Sequence, residues 1–252
     1  RSFSILDADD VTSILKDCAG GTTDAATARQ WQWGISAWKN QGLNARQALA
    51  LAKDDHERSL AIIMQRYEER LTAYQSVDFD DLIGMPMRLL HNHPEVREKW
   101  QKLLGHVLVD EYQDTNATQY ALLKLLVGEA ARFTAVGDDD QSIYGWRGAT
   151  LDNLKRLPQD FPQLQVIKLE QNYRSTSAIL RAANHVIGPN PKLFPKTLFS
   201  ELGEGEPVRV QACDTEEHEA ERAVARILAL KAASNPPPAW KDFAILYRAN
   251  HQ

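Results

Sequence analysis

The spacing of apolar residues divides the chain into a helical first part and a strand–helix remainder. From Arg1 to about Gln75, apolar positions recur at steps of three and four residues, which predicts helices. The last of these helices has one apolar face, made by Leu60, Met64, Tyr67, Leu71 and Tyr74. Tryptophans within residues 31–38 are expected to pack in the core of this helical subdomain, and nucleic-acid stacking is the alternative for one of them.

From Val77 onward the pattern changes to short apolar runs that alternate with helical segments. Two helices are predicted first, one ending near Asn92 and one over residues 95–104. A strand at Val107–Val109, a helix from about Thr118 to Val127 and a strand at Phe133–Val136 follow. Strand, helix, strand in this order is typical of a parallel sheet.

A second strand–helix series begins after Pro158 and Pro162. Strands are predicted at Val166–Leu169, Val208–Ala212 and Phe243–Tyr247, with helices between them. We therefore place a domain boundary between about Leu157 and Gln165. The predicted fold class is α/β, and its three parts are a helical subdomain (1–76), a first α/β domain (77–160) and part of a second α/β domain (161–252).

Carboxylates follow the strand at Val107–Val109 directly, as Asp110 and Glu111, with a third at Asp114. Parallel α/β sheets bind ligands at the carboxyl ends of their strands. Adjacent acids repel each other unless a cation lies between them, and Mg²⁺ bound to nucleotide phosphates fits such a place. Asp110 is therefore predicted to hold the metal and Glu111 to polarise an attacking water.

The loop after the next strand, residues 137–148, combines Asp138, Asp139 and Asp140 with Gln141, Tyr144, Trp146 and Arg147. An amide at a strand end can bond a γ-phosphate or a water. Aromatic side chains beside an arginine are typical of base-stacking surfaces. Beyond the boundary, Arg174 is a candidate arginine finger and Tyr173 a candidate for stacking on the nucleotide base.

Composition narrows the class of protein. The 252 residues are 43% hydrophobic and 25% charged, as in ordinary globular domains, and the net charge of −5 requires any nucleic acid to be bound by a local patch. Cys18 and Cys213 are far apart and lack metal-ligand spacing, which indicates a reducing compartment. No apolar stretch long enough for a bilayer and no secretory signal is present, so we predict a cytoplasmic protein with no membrane partner.

Three segments, in order, resemble motifs II, III and IV of the UvrD/Rep/PcrA DNA helicases of superfamily 1. They are V-D-E-Y-Q-D-T from Val109, V-G-D-D-D-Q-S-I-Y-G-W-R-G-A from Val136 and L-E-Q-N-Y-R-S from Leu169. Three motifs at the family's spacing are far more specific than any one alone. The resemblance is strong over 77–252, where V-D-F-D-D-L-I and F-A-I-L-Y-R-A-N also match, and weak before it. The segments L-F-S-E-L-G and E-E-H-E-A-E-R are most similar to the Rep-type members.

The resemblance implies a P-loop NTPase fold, with parts of two RecA-like parallel sheets. It implies ATP-driven 3′ to 5′ translocation on single-stranded DNA and duplex unwinding in replication or repair, with ATP and Mg²⁺ as cofactors. It implies single-stranded DNA and single/double-strand junctions as partners, and possible replication or repair proteins. Asp110 and Glu111 would serve magnesium and water activation, Gln141 the γ-phosphate, Tyr173 the adenine, Arg174 the finger, and Tyr144, Trp146 and Arg147 the DNA.

The sequence departs from this family's pattern in a large feature. The phosphate-binding loop G-x-x-x-x-G-K-[ST] is missing, and no Gly-Lys dipeptide occurs in the chain. The chain also begins without methionine and stops just after a predicted strand. We therefore expect an internal fragment of a longer helicase, and we expect that the fragment alone neither hydrolyses ATP nor unwinds DNA.

Two other functions fit part of the pattern. A metal-dependent nuclease would use Asp138–Asp140 with Asp110 and Asp114, but would leave Gln141, Trp146 and Arg174 unexplained. A non-catalytic module derived from a helicase would bind only DNA or a protein. Asp78, Asp80 and Asp81 also resemble a metal cluster, although capping of a helix start explains them as well.

Overall fold

The computed structural model describes residues 3–21 and 23–247. It divides the chain into two compact units. The first unit comprises Arg1–Leu169 and Ile187–Thr197, and the second comprises Glu170–Val186 and Leu198–Gln252. The division of the sequence into parts at 76/77 and 160/161 stays a prediction.

Helices form most of the first unit, as the pattern of apolar residues predicts. They are α1 (Ala8–Cys18), α2 (Ala25–Lys39), α3 (Ala45–Leu51), α4 (Asp55–Tyr74), α5 (Asp81–Asn92), α6 (Pro94–Leu103), α7 (Ala117–Val127) and α8 (Asp152–Asp160). Two strands pair in parallel beside α4, β1 (Ser4–Ile5) and β2 (Ser76–Val77). The prediction of helix for residues 4–5 is therefore wrong, because their backbone pairs with the chain that leaves α4.

The helices α1 to α4 enclose the first hydrophobic core. Helix α4 begins where the Asp54 side chain accepts a hydrogen bond from the Glu57 N–H, 2.8 Å away. Its predicted apolar face is confirmed at Leu60, Met64, Tyr67 and Leu71, which are buried, whereas Tyr74 at the last turn is exposed. Of the tryptophans, Trp31 and Trp38 pack against this core, and Trp33 is 69% exposed.

A buried ion cluster joins the end of α2 to the start of α5. The Lys39 ammonium lies 2.7 Å from a carboxylate oxygen of Asp78 and 2.9 Å from one of Asp81, and all three side chains are almost inaccessible to solvent. Tyr67 donates a hydrogen bond to Asp78 at 2.8 Å. Burial alone would raise the pKa of Asp78, but Lys39 holds it below its ordinary value, while burial raises the pKa of Asp81. Lys39 thus neutralises Asp78 and Asp81, which favours a structural role for these two aspartates.

The second hydrophobic core packs against one face of a parallel pair of strands, β3 (Val107–Val109) and β4 (Phe133–Ala135). Helix α7 connects them, and the prediction of strand, helix and parallel strand is confirmed. Asn116 and Gln119 form a reciprocal capping box at the start of α7. Tyr112, Tyr120 and Leu123 are buried in this core. The structure is rich in helices with small parallel sheets, as expected of an α/β helicase domain.

The second unit contains α10 (Glu216–Ala233) and all of α9 (Ser177–Ile187) except its last residue. Within the described residues, none of the strands predicted at 166–169, 208–212 and 243–247 belongs to a sheet. Their apolar side chains are exposed, at 79% for Ile167, 96% for Val210 and 91% for Leu246. An alternating pattern sets only a local preference, and a strand forms when a partner pairs with it and buries one face.

No helix in the described ranges is both long enough and apolar enough to cross a lipid bilayer.

Replacing Lys39 by alanine should destabilise the protein by about 3–5 kcal/mol, because two carboxylates would stay buried without their cation. Denaturant unfolding followed by circular dichroism measures this loss. Arg58→Ala is the matched control, since its pair with Asp55 is exposed to solvent, and it should change the free energy of unfolding by less than about 0.5 kcal/mol. Equal, small losses in both variants would contradict the structural role of the cluster.

Candidate nucleotide and nucleic-acid site

The parallel pairing of β3 with β4 brings the ends of both strands to one edge of the sheet. The register aligns Val109 with Ala135, so the loops that start at Asp110 and at Val136 leave the sheet side by side. Two backbone hydrogen bonds continue the ladder into these loops, from Val136 N–H to Val109 O at 2.8 Å and from Tyr112 N–H to Val136 O at 2.9 Å. The acidic turn and the loop 137–148 are therefore neighbours in space.

The acidic turn presents two exposed carboxylates at this edge. The Asp110 side chain accepts a hydrogen bond from the Glu111 N–H at 2.9 Å. Glu111 adopts a left-handed conformation, with φ 49° and ψ 43°. Such a conformation is uncommon for residues other than glycine, and residues that keep it are found preferentially at functional sites. The turn thus holds Glu111 in an orientation that an ordinary loop would not favour.

Gln113 connects the two loops, and sequence reasoning missed it. Its side chain is 1% exposed. The amide Nε2 donates to a Glu111 carboxylate oxygen at 2.8 Å, and the amide Oε1 accepts from the Asp138 N–H at 3.0 Å. Gly137 permits this approach, since a Cβ there would lie 3.0 Å from the same Oε1. A buried amide that bridges two loops has no local sequence signal, because its partner lies 25 residues away.

An open cleft of about 440 Å³ adjoins the acidic turn. Its walls combine apolar residues of β3 and α7 with the turn residues Asp110, Glu111 and Asp114. One oxygen of Asp114 is shielded from solvent and accepts no hydrogen bond from any residue that the structure describes. Carboxylate oxygens are the ligands that Mg²⁺ prefers, so the donor set of this turn fits that ion.

The three aspartates of the second loop are paired with lysines. The carboxylates of Asp138, Asp139 and Asp140 lie within 4.8 Å of one another. Lys196 reaches all three, at 2.7, 2.9 and 2.9 Å. Burial alone would raise the pKa of Asp138 and of Asp139, but Lys196 holds both below the ordinary value. An ammonium group therefore stands where the nuclease interpretation needs a metal ion.

The rest of this loop presents an amide and two aromatic rings. Gln141 is exposed and donates from Nε2 to Asp138 at 2.7 Å. Tyr144 is 37% exposed and Trp146 is 74% exposed, and their ring centroids lie 6.4 Å apart. The side chain of Arg147, which the sequence assigns to the same surface, lies outside the described part of the structure. Exposed aromatic rings of this kind suit the stacking of nucleic-acid bases.

Tyr173 and Arg174 lie in the second unit, before α9. Both side chains are exposed. The Tyr173 hydroxyl donates to Gln171 at 3.0 Å, and the Asn172 side chain accepts from the Arg174 N–H at 2.9 Å. The structure thus places the loops that carry Asp110, Glu111 and Gln141 side by side in the first unit. The joint action of these residues with one another and with Tyr173 and Arg174 stays a prediction.

Gln113→Leu should cost about 1–3 kcal/mol of stability, because the half-buried N–H of Asp138 would lose its acceptor and the Glu111 carboxylate its donor. The measurement is denaturant unfolding, with Gln163→Leu as control, since Gln163 is exposed. The backbone amide hydrogen of Asp138 should also exchange faster in Gln113→Leu, but not in Gln163→Leu. A variant as stable as the control, with unchanged exchange, would show that the amide does not join the loops.

Relatives among known proteins match this sequence along the whole chain. The sequence model of the UvrD/REP helicase N-terminal domain covers residues 1–162, and that of the UvrD-like helicase C-terminal domain covers residues 167–252. The ATP-dependent DNA helicase Rep of Salmonella typhimurium is 50% identical over the full chain, and that of Escherichia coli is 49% identical. The ATP-dependent DNA helicase PcrA of Staphylococcus aureus is 39% identical.

The chain spans only part of these relatives. The aligned region is 37% of either Rep helicase and 34% of PcrA, although it includes all of the present chain. The two domain matches follow each other along the sequence, the second from residue 167. On these matches, the chain belongs to the UvrD/REP helicase family.

Proposed function

We propose that this chain is the middle section of an ATP-dependent DNA helicase that moves 3′ to 5′ on single-stranded DNA and unwinds duplex in replication or repair. Residues 77–160 and 161–252 would be parts of two RecA-like P-loop NTPase domains, and residues 1–76 part of a helical accessory subdomain. The observation that carries the proposal is the single sheet edge at which Glu111 and the Gln141 loop are joined through Gln113. Three relatives that bear the name ATP-dependent DNA helicase support it.

The turn after β3 would serve nucleotide hydrolysis. Asp110, the first exposed carboxylate after the strand, would hold Mg²⁺, and Glu111 would help to hold the ion and accept a proton from the attacking water. When bound, ATP with Mg²⁺ supplies the phosphoryl group and neutralises charge that develops on it. Gln113 would orient Glu111, because its amide bonds that carboxylate at 2.8 Å.

The loop after β4 would link the nucleotide to the DNA strand. Gln141 leaves the sheet at the same edge as Glu111, so it would bond the γ-phosphate or the attacking water. Five residues further, Trp146 would stack on a base, with Tyr144 and Arg147 beside it. A change in what Gln141 bonds would then alter the position of Trp146, which is a short route for coupling two ligands.

Two exposed residues before α9 would also serve the nucleotide. Tyr173 would stack on adenine, and Arg174 would act as an arginine finger on the transferred phosphoryl group. Their exposure is compatible with both roles. The partners would be single-stranded DNA and single/double-strand junctions, with other replication or repair proteins possible, and the location would be the cytoplasm.

Residues 1–252 alone would be inactive, because they contain no G-x-x-x-x-G-K-[ST] loop to hold the β- and γ-phosphates. Tests of catalysis therefore use the full-length parent protein. Of the other two functions, a nuclease is disfavoured, because Lys192 and Lys196 already pair with the acidic loop. A non-catalytic DNA- or protein-binding module would show no ATPase in the parent.

Trp146→Ala in the full-length parent should weaken binding of single-stranded DNA by about 1–3 kcal/mol, the contribution of one stacked base. It should also abolish the stimulation of ATP hydrolysis by DNA, while hydrolysis without DNA persists. Fluorescence anisotropy with labelled oligonucleotides and a coupled ATPase assay measure the two effects.

Trp100→Ala is the matched control for this test, since Trp100 is also exposed, at 44%, but lies on α6 and has no assigned role. It should leave both measurements unchanged. If Trp146→Ala behaves like Trp100→Ala, the loop 137–148 is not the DNA contact and the proposed coupling is wrong.

A further inference from the structure

The segment Ile187–Thr197 belongs to the first unit, although it directly follows α9, which lies mostly in the second. Its apolar residues Leu193 and Phe194 pack against the second hydrophobic core. Its cationic residues Lys192 and Lys196 face the loop after β4. The segment is therefore anchored by apolar and by ionic contacts in the same unit as the acidic turn.

Lys196 is placed among the three aspartates with little access to solvent. Its side chain is 17% exposed, and that of Asp139 only 4%. Lys192 adds a second ammonium at 2.7 Å from Asp140. The Leu193 N–H donates to Asp139 at 2.9 Å. Three neighbouring carboxylates in a half-buried place would repel one another, so this arrangement requires the lysines.

Asp138 links Lys196 to Gln141, because it contacts both side chains. One oxygen of Asp138 contacts the Lys196 ammonium at 2.7 Å and accepts from the Asp140 N–H at 3.0 Å. The other oxygen accepts from Gln141 Nε2 at 2.7 Å. The Gln141 backbone N–H also bonds the Asp138 carbonyl at 3.0 Å. With both oxygens of Asp138 occupied, the Gln141 side chain has a defined direction although it is exposed.

The lysines also change what the loop can approach. Three uncompensated carboxylates would repel a triphosphate, whereas Lys192 and Lys196 offset two of their three charges. The lysines thus have two roles. They keep the carboxylates together, and they let an anion come near Gln141.

We propose that Lys196 is a positioning residue, which holds Gln141 through Asp138 in the orientation required for ATP hydrolysis. The proposal rests on the proposed function of Gln141 and assigns a role to a residue outside the helicase motifs. It makes the segment Ile187–Thr197 part of the nucleotide site, without contact between Lys196 and the nucleotide.

The test combines two measurements on Lys196→Ala. In the 252-residue chain, NMR follows the side-chain amide of Gln141, identified with Gln141→Ala. In the full-length parent, a coupled assay gives kcat and KM for ATP in the presence of single-stranded DNA. The amide signal should move toward that of a glutamine whose side chain has no hydrogen-bond partner. The kcat should fall about tenfold or more, since small displacements of a positioned group have such effects, while KM changes less than about twofold.

Two controls separate positioning from general destabilisation. Lys196→Arg keeps a cation that can bond several carboxylates and should recover most of kcat and of the amide signal. Lys155→Ala removes an exposed lysine with one carboxylate partner and should change neither measurement. If Lys196→Ala does not fold, Lys196→Gln, which keeps most of the side chain's length, takes its place.

An unchanged amide signal in a folded Lys196 variant would overturn the proposal. An unchanged kcat in that variant, where Gln141→Ala lowers kcat, would overturn it as well. If Gln141→Ala itself leaves kcat unchanged, the proposed function of Gln141 fails first, and the amide signal still reports whether Lys196 fixes the side chain.

Discussion

The parallel pairing of β3 with β4 is the constraint on which the candidate site depends. Three aligned residue pairs place the ends of both strands at one edge. Two loops start at that edge. One carries the carboxylates of Asp110 and Glu111, and the other carries Gln141 and Trp146. The buried amide of Gln113 then joins the two loops, so that their relative position depends on two hydrogen bonds and on the lack of a side chain at Gly137.

The candidate site also depends on how its negative charges are balanced. Carboxylates are concentrated in two loops of this region, and the two sets differ in their partners. The exposed carboxylates of Asp110 and Glu111 border a cleft, whereas those of Asp138–Asp140 are held by lysines. The same principle operates in the buried cluster around Lys39. Acids with a lysine partner organise the fold, and acids without one are available for a cation.

The sequence predicts the parts of this fold whose signal is local. The apolar face of α4 and the strand–helix–strand order of β3, α7 and β4 are confirmed, because burial and periodicity determine them residue by residue. The strands predicted at 166–169, 208–212 and 243–247 are wrong, because pairing depends on contacts between segments that a local pattern does not determine. Gln113 and Lys196 were missed for the same reason, since each acts on a residue distant in sequence.

In the proposed mechanism, the turn after β3 serves nucleotide hydrolysis, with Glu111 as the group that activates water. The most direct measurement is kcat for DNA-stimulated ATP hydrolysis by the full-length parent carrying Glu111→Gln, which keeps the shape and removes the charge. Glu129→Gln, at an exposed position, is the control. A fall in kcat of about 100-fold or more is expected for Glu111→Gln, the usual contribution of a general base, with nucleotide binding retained and the control unchanged. A kcat equal to that of the control would contradict this mechanism.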